Sequence, residues 1–198
     1  CVLLPLLLLK KEPLRVSLKK DAPQLAAAGL LLALHWVSFF GSVQVASVAI
    51  ATITFSTYPL FLVFLEPLVY RERFRKTGLL FALVLLAGVL VTIPEFAPSG
   101  QTLQGVLRGM LASLTYAGLS LINRALAARH SGAKISLFEQ TAAAMALLPF
   151  ALLDGGWPNP RDIAAIAFIG AFCTALAFSL FVAAQRRLPA QTAGVVAG

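Results

Sequence analysis

Two stretches of the chain say almost the same thing: VLLPLLLLKKEP at residues 2–13 and ALLPFALLDGGWP at residues 146–158. Their apolar halves match through Leu-Leu-Pro and a closing Leu-Leu, but the first runs into Lys10 and Lys11 and the second into Asp154. Pro5 and Pro149 are 144 residues apart. What lies between them decides whether the second copy repeats the first or inverts it.

The intervening sequence is built from apolar runs. Hydrophobic residues make up 59% of the 198, charged residues only 12%, and the mean hydropathy is +0.87. Runs of about 18–25 apolar residues are long enough to cross a bilayer as helix. The composition predicts an all-α integral membrane protein. Six full spans are expected at 24–44, 46–69, 77–94, 104–127, 136–153 and 162–185, with partial spans at 1–9 and 190–198. Barrel strands would be about half as long and would alternate in polarity. Residue 1 lies inside an apolar run with no basic leader, so the chain reads as an internal stretch of a longer membrane protein.

The cations are sorted by side. Lys10, Lys11, Arg15, Lys19 and Lys20 follow the first span, and Arg71, Arg73, Arg75 and Lys76 follow the third. Arg124, Arg129 and Lys134 follow the fifth, and Arg186 and Arg187 the seventh. These alternate connectors hold 14 of the 16 Lys and Arg, leaving only Arg108 and Arg161 near the opposite edges. Such a bias marks the basic side as cytoplasmic. It also explains the net charge of +8 without nucleic acid, which is excluded as a partner.

Five spans separate the two Leu-Leu-Pro copies, an odd number, so the second copy crosses in the opposite sense. The first ends in the cytoplasm with lysines and the second ends outside with Asp154. The next connectors reverse in the same way: VQVAS (43–47) is uncharged, while its counterpart RRLPA (186–190) is basic. Inverted repeats are a common architecture of secondary transporters. The expected domains are a first repeat at 1–95 and a second at 104–198.

The details resemble EamA-type permeases of the drug/metabolite transporter superfamily. The resemblance rests on YPLFLVFLEPLVYRER, with Tyr58-Pro59, then twelve residues, then Glu72. It extends to LLFALVLLAGVLV with Gly88, and to RRLPAQTAG before the last apolar stretch. It covers essentially the whole chain, from the end of the family's second helix to the start of its ninth. It implies inverted five-helix repeats of a ten-helix bundle around a central cavity, truncated here at both ends. It further implies export of amino-acid-like or drug-like solutes, across a bacterial inner membrane.

A solute pathway needs polar groups turned inward, because exposing them to lipid is costly. Thr52, Ser56, Pro59 and Glu66 continue one face of the third span. Pro59 removes a backbone hydrogen bond and can kink the helix. Thr52 and Ser56 either serve the pathway or bond to their own helix backbone. Glu66 lies six residues before Glu72, about 9 Å deeper at helical rise. It is either a carboxylate for protons or cationic solutes or, the favoured reading, a structural partner of Arg71 or Arg73. His35 shares a face with Ser38 and Ser42 and either titrates or hydrogen-bonds a neighbour. Its neighbour Trp36 is a cavity wall or a lipid-facing filler. Ser113, Tyr116, Ser120 and Asn123 form a polar stripe at i, i+3, i+7 and i+10 on the fifth span, which also carries Gly105 and Gly109 as a GxxxG pair. Glu139 and Gln140 are expected at the cytoplasmic interface.

Enzymatic constellations are absent from the sequence. His35 and His130 fall on different segments, so no HExxH metal motif forms, and there is no Walker A loop or nucleophile elbow. Cys1 and Cys173 supply no disulfide framework. The chain therefore reads as a non-enzyme without cofactor or metal. Its expected partners are a small-molecule solute, membrane lipid and a second copy of itself in a homodimer. The alternative is a membrane-embedded scaffold or enzyme whose repeat serves only packing.

Overall fold

The structure is a computed structural model that describes residues 3–9, 11, 13–17, 19–73, 76–91, 100–154, 156, 159–185, 187–190 and 192. Among the described residues every regular element is a helix. The helices are α1 (Leu3–Leu9), α2 (Ala22–Val45), α3 (Val48–Phe55), α4 (Tyr58–Tyr70), α5 (Lys76–Val91), α6 (Gly100–Ala127), α7 (Gly132–Asp154) and α8 (Pro160–Phe168). A π-helical segment, Ile169–Leu176, then joins α8 to α9 (Ala177–Ala184).

Among the described residues, five helical stretches are long and apolar enough to cross a membrane: Ala22–Val45, Val48–Tyr70, Gly100–Ala127, Gly132–Leu153 and Pro160–Ala184. At 1.5 Å per residue the 24-residue α2 is about 36 Å long, enough for a hydrocarbon core of about 30 Å. The span expected at 77–94 is α5, of which 92–94 lie outside the described residues, as does most of 190–198.

Helix ends follow local chemistry. Ser47 opens α3 by accepting the Ile50 N–H through its Oγ at 3.2 Å. Asn159 opens α8 by accepting from the N–H groups of Arg161 and Asp162, with Pro160 in the first turn. Arg71 ends α4 in the left-handed conformation, at φ 54°.

The chain divides into two compact units. The first comprises residues 1–33 and 122–187. Leu25, Leu126, Ala127, Ile135 and Val182 form its core, with Phe138, Phe178 and Phe181 packed around them. The backbones come close: a Cβ on Gly29 would overlap Ala142 and stand 2.9 Å from the Glu139 carbonyl oxygen. The second unit comprises residues 34–121 and 188–198. Tyr58, Leu62, Ala117, Leu121 and Ala190 form its core, with Phe55, Phe61, Leu65 and Tyr116 alongside. Here the GxxxG pair does what small residues do between membrane helices. Gly105 lies against Ala46, Gly109 lies against Thr54, and Ser42 Oγ donates to the Gly105 carbonyl at 2.7 Å.

Candidate functional site

The third expected span is not one helix. It breaks at Ser56 and Thr57 between α3 and α4, and Pro59 falls in the first turn of α4. A proline there lacks an N–H that the helix start does not need. It also leaves the carbonyl four residues back, that of Phe55, without its usual helical donor. Hydroxyls take over at the break. Thr57 Oγ1 donates to the Thr54 carbonyl at 2.6 Å, and Ser56 Oγ donates to Thr52 at 2.9 Å. Ser113 Oγ, on α6, stands 3.3 Å from the Phe55 carbonyl oxygen and 2.9 Å from Thr57 Oγ1. With the Thr57 hydrogen directed at Thr54, the single Ser113 hydrogen is shared between those two acceptors.

Beside the break lies a group of rings. His35, Phe39, Phe55, Tyr58 and Tyr116 are linked by centroid distances of 5.0–6.0 Å. His35 is buried, and its Nδ1 stands 3.0 Å from the Ala112 carbonyl oxygen. A carbonyl only accepts, so Nδ1 carries the hydrogen and Nε2 of the neutral ring is an acceptor. Apolar rings, an imidazole acceptor and hydroxyls thus lie side by side within one unit.

Eight of the expected pathway residues, His35, Trp36, Ser56, Pro59, Glu66, Ser113, Tyr116 and Ser120, fall in this unit as buried or half-buried side chains. Trp36 is half-buried. Thr52 is exposed, its Oγ1 turned back on the Val48 carbonyl at 2.8 Å. Glu66 is fully buried, and its Oε1 accepts the Ala190 N–H at 2.6 Å. One partner of Glu66 is therefore a backbone amide 124 residues on, where the sequence pointed to Arg71 or Arg73. Asn123, the last of the α6 stripe, belongs to the other unit, where its Nδ2 donates to Glu139 Oε2 at 3.4 Å. Glu139 is completely buried, where α2 passes close at Gly29 and Asn123 of α6 reaches it. Sequence reading missed Thr57 and the Phe55 carbonyl. The signal was the hydroxyl pair Ser56-Thr57 just ahead of Tyr58-Pro59, where hydroxyls commonly serve a helix start.

The first unit also gathers polar connectors. Asp21 lies 3.0 Å from Arg129 and 3.0 Å from His130 Nε2, and accepts the Ser17 N–H at 3.3 Å. Lys134 Nζ donates to the Arg15 carbonyl at 2.6 Å. Burial works to raise the Asp21 carboxyl, but the His130 and Ser17 hydrogen bonds and the Arg129 charge outweigh it and hold the group below the ordinary carboxylate range. No group of three metal-ligating side chains occurs among the described residues.

The fold defines a multi-pass, all-α membrane protein with a broken span, a build that secondary transporters share. The sequence model of the EamA-like transporter family matches residues 1–93 and 103–198, and the chain belongs to that family. It is 27% identical over 152 residues to the pseudopaline exporter CntI of Pseudomonas aeruginosa, covering 77% of this chain and 53% of that protein. It is 26% identical over 174 residues to YwfM, an uncharacterized transporter of Bacillus subtilis, covering 86% and 59%. A crystal structure 22% identical in sequence superposes with a TM-score of 0.79, covering 98% of this chain and 69% of that one, which establishes the fold. The chain spans about half the length of the curated relatives it matches.

Proposed function

We propose that this chain is part of a secondary transporter that exports a small amino-acid-like or drug-like metabolite by alternating access across a bacterial inner membrane. The observation that carries the reading is the break in the Val48–Tyr70 span, with the Phe55 carbonyl turned to Ser113. Non-helical backbone at membrane depth is tolerated only where protein or a water-filled cavity satisfies it. Transporters place such discontinuous helices at their solute sites. Family membership supports the transport reading, and the name of the Pseudomonas aeruginosa relative supports export.

In this reading the solute meets Ser56, Ser113 and Tyr116, with His35 Nε2 as acceptor and the Phe39, Phe55 and Tyr58 rings as apolar walls. The inverted repeats at 1–95 and 104–198 supply the two arrangements that alternate. No step requires a cofactor.

The test is efflux from proteoliposomes holding the full-length protein, with a panel of amino acids, peptides and amphipathic drugs. At least one solute should move faster than in protein-free vesicles, and Tyr116→Ala should weaken its affinity while the protein still inserts. Absence of flux for every panel member, or wild-type affinity in a Ser56→Ala/Tyr116→Ala double variant, overturns the reading.

A further inference from the structure

Glu139 and Asn123 are both completely buried, and the bond between them, at 3.4 Å, is long. Each keeps one oxygen, Glu139 Oε1 and Asn123 Oδ1, with no hydrogen-bond partner among the described residues. An ionised carboxylate in such a place is costly unless a cation balances it. Among the described residues, the elements around Glu139 offer none. The α2 residues of this unit, Ala22–Ala33, carry no titratable group, nor do α1 and α9. The π-helical segment carries only Cys173. On α7 itself the nearest cation is Lys134, whose Nζ is committed to the Arg15 carbonyl. On α6 the residue after Asn123 is Arg124, which is half-buried, and no ion pair joins it to Glu139 among the described residues.

We propose that Glu139 and Asn123 form a proton-binding site inside the first unit. A proton from the aqueous phase forms an O–H bond on the Glu139 carboxylate and neutralises it, and release reverses the step. Nothing is oxidised or reduced. The carboxamide is suited to both states because its two ends are nearly isosteric. With the carboxylate ionised, Nδ2 donates to it. With the acid neutral, the amide turned over presents Oδ1 as acceptor for the new O–H. A metal cation is a poorer fit, since it needs more oxygen ligands than this pair supplies. Glu139 stands seven residues into α7 and Asn123 four residues before the end of α6. At helical rise that is about 6–10 Å from the helix ends, short enough for a proton to arrive through one or two bridging groups. The use of this proton to drive transport rests on the proposed function; the proton site itself does not.

Infrared titration of the full-length protein in lipid discs tests the site directly. The parent should show a carboxylic acid C=O band that titrates reversibly, disappears in Glu139→Gln, and changes frequency in Asn123→Leu. A parent spectrum identical to that of Glu139→Gln overturns the proposal. Should Glu139→Gln fail to fold, treatment of the parent with a hydrophobic carbodiimide, mapped by peptide mass, decides instead. Modification at Glu139 that declines as the pH rises supports the site, and its absence at acid pH overturns it. Coupling is read from the ratio of solute flux with and without an imposed pH gradient. Loss of that gradient dependence in Glu139→Gln supports coupling, and its retention overturns it. Absence of all solute flux would refute the transport reading while leaving the infrared result to decide the proton site.

Discussion

Ser113 Oγ reaches the Phe55 carbonyl oxygen at 3.3 Å, so a side chain of α6 supplies a donor to the oxygen that Pro59 leaves unserved in the α3–α4 span. Pro59, Phe55 and Ser113 together make the break stable at membrane depth, where an unpaired carbonyl is costly.

Replacing Ser113 by alanine removes that donor and the contact with Thr57. The expected loss is about 1 kcal/mol, the scale of interhelical hydrogen bonds in membranes. Ser113→Thr, which keeps the hydroxyl, should lose less. Reversible unfolding in detergent measures both; equal stability of parent and Ser113→Ala would mean that the carbonyl finds another donor.

Gly109 allows α6 to touch α3, since a Cβ there would overlap the Thr54 side chain. Gly109→Ala should therefore destabilise the protein by roughly 1–3 kcal/mol through overpacking. Gly100 is the control, because a Cβ there meets nothing within 4 Å. Gly100→Ala should be neutral or slightly stabilising, both variants being measured by reversible unfolding in detergent; equal stability of parent and Gly109→Ala would refute the close contact.

Asp21 makes stability depend on acid. Its carboxyl is held below the ordinary range in the folded chain. The unfolded state therefore takes up the proton first as pH falls, and the contribution is present above the unfolded value and lost through the folded one. The midpoint of thermal unfolding should fall on acidification across this window. Asp21→Asn should start lower at neutral pH and change less across the same window. A parent and variant with parallel pH profiles would show that Asp21 does not control this loss.

Sidedness follows from the cations. A cysteine at Glu72, an exposed position beside Arg71 and Arg73, should react slowly with an impermeant thiol reagent in intact cells, and one at Asn159 should react quickly. The reverse pattern would overturn the cytoplasmic assignment of the basic connectors.

Membrane class, helical content and the places of the main spans were legible in the sequence because they depend on local quantities. A run of apolar residues needs no partner to be apolar, and the sorting of Lys and Arg is read one connector at a time. The Gly105–Gly109 spacing likewise announced a close helix contact. Thr52 and Ser56 show where local reading stops: both hydroxyls return to their own backbone, and nothing in their spacing decides between that and an open face.

Tertiary structure alone decided which distant groups meet. Glu66 pairs with the Ala190 amide, Ser113 with the Phe55 carbonyl and Asn123 with Glu139, across 124, 58 and 16 residues. The α6 stripe is continuous in sequence, yet Ser113 and Asn123 serve different units. Periodicity fixes the face on which a side chain lies, but its partner is set by which helix packs against that face. A buried polar group must find that partner or remain unpaired. For that reason the polar residues of the spans were legible in the sequence, and only packing distinguished a carboxylate that meets a backbone amide from one that meets a buried carboxamide.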